Sequence, residues 1–225
     1  MPDLADEINS TVRRLVALQL WQLGAIKVNL AEPFRLVSGN YSPIYINCRL
    51  LISSPAFVDL FAAATRLIVE HRQVKFDVVA GGETAGIPFA AFVARAFGSP
   101  MIYVRKEVKG HGLASRIEGV LDAQARVLLV EDLITDAGSK LSFIQAIREA
   151  GAVVEDALVV FDRLQGGGEA LATKGIRLHS VTDMTTALSV CQDAHYLAAP
   201  DLESVKQYLG NPQGWHEQRG LLFNC

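Results

Sequence analysis

Apolar residues follow two rhythms along this chain, and the change between them predicts its architecture. Over residues 5–23, Ile8, Val12, Leu15, Val16 and Leu20 recur at helical spacing, with Gly24 where a C-cap would sit. Residues 34–37 and 44–47 read as short β stretches flanking Ser38-Gly39-Asn40-Tyr41-Ser42-Pro43, a run of turn-forming residues. A second helix is predicted over 55–72, with Pro55 in its first turn. Beyond it, apolar runs at 76–80, 101–104, 127–130 and 153–161 alternate with helical segments, including 85–97 and 137–150. Runs that are apolar on both faces and separated by helices are buried parallel strands of an α/β sheet. A strand at 175–180 and helices near 186–191 and 202–209 complete the pattern.

The segments just after the predicted core strands carry the chemistry. The four runs lead into Gly81-Gly82-Glu83-Thr84-Ala85-Gly86, a basic stretch from Arg105 to Arg116, Glu131-Asp132, and Asp162-Arg163. Open parallel sheets bind ligands beyond the carboxyl ends of their strands, so these segments are expected around one crevice.

Residues 127–139 are the most specific. Two adjacent acids, Glu131 and Asp132, are costly at a strand end unless donors or a metal meet them. Ribose hydroxyls are such donors, and Mg²⁺ also suits hard oxygens. Thr135, Asp136, Ala137, Gly138 and Ser139 then open into a helix, whose first amides and dipole make an anion site. Acids for a sugar and amides for its phosphate match a ribose 5-phosphate. Neither GxxxxGK[ST] nor GxGxxG is present, which excludes those nucleotide-binding loops. In the basic stretch, Arg105, Lys106, Lys109 and Arg116 flank His111 among glycines 110, 112 and 119. Such a segment suits a mobile lid (105–119) that neutralises a pyrophosphate leaving group and excludes water.

Composition narrows the class. The 225 residues, 50% hydrophobic, are enough for one sizeable core, so a single domain over 1–225 is expected. A net charge of −3 gives no overall field for nucleic acid. No apolar run reaches the ~18 residues of a membrane helix. The acidic start, Asp3, Asp6 and Glu7, is unlike a signal peptide. Cys48, Cys191 and Cys225 are far apart and lack metal-ligand spacing, which fits a reducing cytoplasm.

Residues 127–139 resemble the 5-phosphoribosyl 1-pyrophosphate (PRPP) signature of the type I phosphoribosyltransferases: a hydrophobic strand, two acids, a hydrophobic pair (Leu133, Ile134) and a small-residue loop. The basic string RKEVKGHG and the stretch FRLVSGNYSPIYIN further resemble the catalytic loop and nucleobase motif of the orotate phosphoribosyltransferases. The resemblance implies a central, mostly parallel sheet flanked by helices, with a small β-containing hood near residues 24–50. It implies phosphoribosyl transfer from PRPP to orotate with Mg²⁺, in UMP synthesis, by a cytoplasmic homodimer with shared active sites. Lys109, His111 and Asp132 would be catalytic. Arg105, Lys106, Lys109, His111, Glu131, Asp132, Leu133, Ile134, Thr135, Asp136, Ala137, Gly138 and Ser139 would bind PRPP. Phe34, Thr135 and Arg163 would bind orotate, and the metal would be carried by PRPP rather than by direct protein ligands. Val37 and Ala85 stand where some members have lysines, and Asp136 and Ala137 where glycine or threonine is usual. At Ala137 a negative φ is expected, and at Asp136 a side chain turned outward. Rival readings are transfer to another base, a PRPP-sensing regulator, and a decarboxylase fusion, for which the chain is too short.

Overall fold

The computed structural model describes residues 4–36, 38–107 and 115–224. Helix α1 (Leu4–Gln22) leads into strands β1 (Ile26–Val28), β2 (Phe34–Arg35), β3 (Tyr41–Ser42) and β4 (Ile44–Ile46), then a 3₁₀ turn (Cys48–Ser53). Two antiparallel pairs form the small hood, β1 with β4 and β2 with β3. Helix α2 (Pro55–His71) is capped by Ser54, whose side chain accepts the Phe57 N–H.

The rest of the chain builds one sheet from β5 (Val78–Gly82), β6 (Met101–Val104), β7 (Ile117–Glu118), β8 (Arg126–Ile134), β9 (Val153–Asp162) and β10 (Arg177–Asp183). The connecting and flanking helices are α3 (Gly86–Phe97), α4 (Gly138–Glu149), α5 (Gly167–Ala172), α6 (Met184–Asp193), α7 (Ala199–Gly210) and α8 (Pro212–Glu217). Strand order is β10-β9-β8-β5-β6-β7, parallel except for the antiparallel edge strand β7. Alternation along β8 feeds two cores: Leu128 and Val130 pack on the side of α1, α2 and α3, and Val127 and Leu129 on the side of α4 and α5.

From β5 the chain crosses to β6 on one side and later to β8 on the other, so the topological switch lies between β5 and β8. There β8 outlasts its expected end. It stays paired with β9 as far as Ile134↔Asp162, whereas its pairing with β5 stops at Val130↔Gly81. Residues 131–134, expected in a loop, are therefore strand with one side open to the crevice. Strands β1, β3 and β7 and helices α5 and α8 go beyond the sequence expectation; all have six residues or fewer, too short to show periodicity.

Candidate active site

At the switch point Glu131 is nearly buried, 4% exposed. Its Oε1 accepts the Gly82 N–H at 2.9 Å, and its Oε2 lies 3.1 Å from Lys140 Nζ. Burial pushes this carboxyl up to about 7; Lys140 and the Gly82 amide oppose the rise, and Asp132 adds to it. Two glycines make room for the group. A Cβ at Gly86 would collide with Glu131 Oε1, and one at Gly82 would collide with the Phe143 ring. Gly86→Ala is expected to cost about 2–4 kcal/mol by driving the carboxylate off its partners. A thermal melt of the variant tests this, and an unchanged melting temperature would contradict it. Asp132, the next residue, is half-buried on the opposite face of β8.

Lys140 escapes sequence reasoning, because a lysine in the first turn of a helix reads as solvated. In the fold it is only 9% exposed, and its ammonium also approaches Ser139 Oγ at 3.4 Å. The one available signal is its place a few residues after two acids.

The loop before α4 corrects one expectation. Ala137 has φ +68, not a negative value. The turn from β8 into α4 needs a left-handed residue there, at about 1–2 kcal/mol for an alanine. Burial of its methyl, 1% exposed among Ile134 and Phe143, offsets part of that. Asp136 is exposed, but its Oδ1 accepts the Gly138 N–H at 3.0 Å, so one loop amide already has an anionic partner. Thr135 is half-buried, and its carbonyl backs onto Gly167, where a Cβ would come within 2.7 Å.

The basic stretch has a fixed neck. Arg105 N–H donates to Arg116 O at 2.8 Å, and Arg116 Nε donates back to Arg105 O at 2.9 Å. The pairing Tyr103↔Glu118 and Val104↔Ile117 continues that ladder. Arg116 also reaches Ser142 on α4 and covers the Phe143 ring, so it secures the neck rather than facing a ligand. Glu83 Oε2 accepts the Lys106 N–H, which joins this neck to the end of β5. Lys109 and His111 lie outside the described residues, as does Val37.

After β9, Arg163 donates its backbone N–H to Ile134 O at 3.1 Å, which sets it beside the end of β8. Its Nε is buried without a hydrogen-bond partner among the described residues. Burial lowers its pKa, and Tyr208 on α7 opposes the shift. In the hood, the half-buried Phe34 ring lies 5.5 Å from that of Tyr45.

A mostly parallel sheet with a buried acid at its switch point and a basic segment between β6 and β7 fits the phosphoribosyltransferase class. The family model for the phosphoribosyl transferase domain matches residues 52–176. Full-length comparisons are narrower. The chain is 44% identical over 217 residues to an orotate phosphoribosyltransferase of Rhizobium meliloti (strain 1021), covering 94% of this chain and 93% of the relative. One from Jannaschia sp. (strain CCS1) is 42% identical, with 95% of each chain covered. The crystal structure of orotate phosphoribosyltransferase from Aeropyrum pernix superposes with a TM-score of 0.70 at 32% identity, over 81% of this chain and 99% of that one. This chain belongs to the orotate phosphoribosyltransferase family.

Proposed function

We propose that the protein transfers the 5-phosphoribosyl group of PRPP to orotate, giving orotidine 5′-monophosphate and pyrophosphate in the synthesis of UMP. The single observation that carries the base assignment is Arg163. It presents a buried Nε, without a partner among the described residues, beside the end of β8, where the carboxylate or a ring carbonyl of orotate would pair with it. The family relationship supports the same reading.

The amides of residues 135–139 and the dipole of α4 hold the 5′-phosphate. Asp132 and Glu131 accept the ribose hydroxyls. Arg105, Lys106, Lys109 and His111 hold the pyrophosphate. The bond from C1 to the pyrophosphate oxygen breaks with its electron pair leaving on pyrophosphate, and a ring nitrogen of orotate bonds to C1 as its N–H proton passes to the departing pyrophosphate or to water. The chain acts by positioning both partners, stabilising the leaving charge and excluding water from the electrophilic carbon. Phe34 and Thr135 complete the base subsite with Arg163.

Mg²⁺ fits this donor set as an ion held mainly by the substrate. Among the described residues no three His, Cys, Asp or Glu groups converge on a metal position. Mg²⁺ is often bound through substrate phosphates with its waters retained, and Glu83 or Thr84 would order such waters. When bound, it neutralises charge on the pyrophosphate.

The working form is a cytoplasmic homodimer in which each basic stretch serves the neighbouring site. Mixing subunits carrying Lys109→Ala with subunits carrying Asp132→Asn is expected to restore activity that neither has alone. A mixture as inactive as its components would count against sharing.

The assay is direct. With PRPP and Mg²⁺ the protein is expected to consume orotate, followed by its loss of absorbance, and to leave adenine, hypoxanthine and uracil untouched. Turnover of one of those bases in place of orotate would overturn the assignment.

A further inference from the structure

We infer that His216, in the C-terminal helix α8, is a positioning residue for the base subsite and acts through the β2–β3 hairpin. The inference rests on the assignment of that hairpin, through Phe34, to orotate. Strands β2 and β3 have two residues each, too few to fix a hairpin in water. Its geometry must be imposed from outside, and the C-terminal block imposes it.

His216 is completely buried. Its Nε2 accepts the Tyr41 N–H at 2.9 Å, and its Nδ1 lies 2.7 Å from Pro212 O. Both contacts are satisfied together only by a neutral ring carrying its proton on Nδ1. Tyr208, Trp215 and Phe223 surround the ring and prevent it from turning away. A few residues later the tail grips the turn of the same hairpin. Asn224 N–H donates to Asn40 Oδ1 at 2.7 Å, Asn40 Nδ2 donates to Asn224 O at 2.9 Å, and Asn224 Nδ2 donates to Ser38 O at 3.3 Å.

The block is itself tightly packed. Tyr208 packs on both His216 and Trp215. Helices α7 and α8 thus hold the hairpin from its C-terminal side, through the ring at His216 and the tail at Asn224. The hydrogen bonds and ring contacts of His216 and Asn224 run to the hairpin and to this block rather than to the PRPP loop at 135–139, so their effect falls on the base.

Three variants test this. His216→Asn can keep the donor to Pro212 but loses the acceptor for Tyr41. It is expected to raise KM for orotate about tenfold, the effect of one lost buried hydrogen bond, with kcat and KM for PRPP within about twofold. His216→Gln, whose amide oxygen can reach the Tyr41 N–H, should stay within about threefold of wild type. Asn224→Ala, at an exposed position, should raise KM for orotate by about two- to fivefold with no change for PRPP, and it decides the matter if His216→Asn does not fold. Equal rises in both KM values, or an unchanged KM for orotate in the folded variants, would overturn the positioning role alone. A wild-type protein that does not turn over orotate would remove the functional reading and this inference with it.

Discussion

Lys140→Met is expected to lower kcat/KM for PRPP about 100-fold at pH 7 and to move the acid limb of its pH profile up by about two units. In the proposed role Glu131 accepts a ribose hydroxyl far more strongly when ionised, and burial already holds its carboxyl near 7. Lys140 is the cation that keeps it ionised at all, with the Gly82 amide as the second support and Asp132 working against both. Without Lys140 a buried carboxylate stands unpaired, at about 3–5 kcal/mol, or two or more pH units. It then stays protonated through neutral pH. In the wild type, activity should fall as pH drops through about 7. The raised value also acts on stability, with a sign opposite to that of an ordinary paired carboxylate. The folded state binds this proton more tightly than the unfolded chain, so the contribution is full below about 4.5 and is lost as pH rises to about 7, by roughly 3 kcal/mol. A pH profile of Lys140→Met that overlays the wild type would sink this role, and Lys140→Arg should recover part of the loss.

Arg163→Ala should raise KM for orotate about 50- to 100-fold while leaving KM for PRPP within twofold. The guanidinium is largely desolvated before any ligand arrives, and its Nε has no partner among the described residues. A charge-assisted pair formed there is worth about 2–3 kcal/mol, because the guanidinium has little water to shed on binding. Arg163→Lys should recover little, since an ammonium lacks the planar fork. Steady-state kinetics with each substrate varied in turn makes the measurement. Equal losses for orotate and PRPP would show that Arg163 holds the end of β8 in place rather than the base.

The long, buried elements are legible in the sequence because their apolar runs exceed what a loop can hide. Strands at 101–104 and 153–161 and the helix over 55–72 fall within a residue or two of the structure. The acids at 131 and 132 are legible as chemistry but read as loop, since only pairing with β9 reveals that the strand continues. His216 is not legible in the sequence, and Lys140 only through its nearness to the two acids. Each acts through one contact made across the fold, Lys140 with Glu131 and His216 with Tyr41, and neither leaves a periodic trace. The positive φ of Ala137 runs against the ordinary preference of alanine, because packing of its methyl outweighs local strain. The comparisons support the family-level reading of fold and reaction, while the roles of Lys109, His111 and the other site residues stand as proposals.

The Glu131–Lys140 contact also limits how this lineage can drift. Losing either partner alone strands a charge in the interior, at a cost comparable to much of a domain's net stability. An apolar or charge-swapped replacement is therefore reachable only if both positions change together. The first turn of α4 and the end of β8 must then evolve as one unit, and substitutions tolerated in a relative that lacks this pair should not transfer singly into this protein.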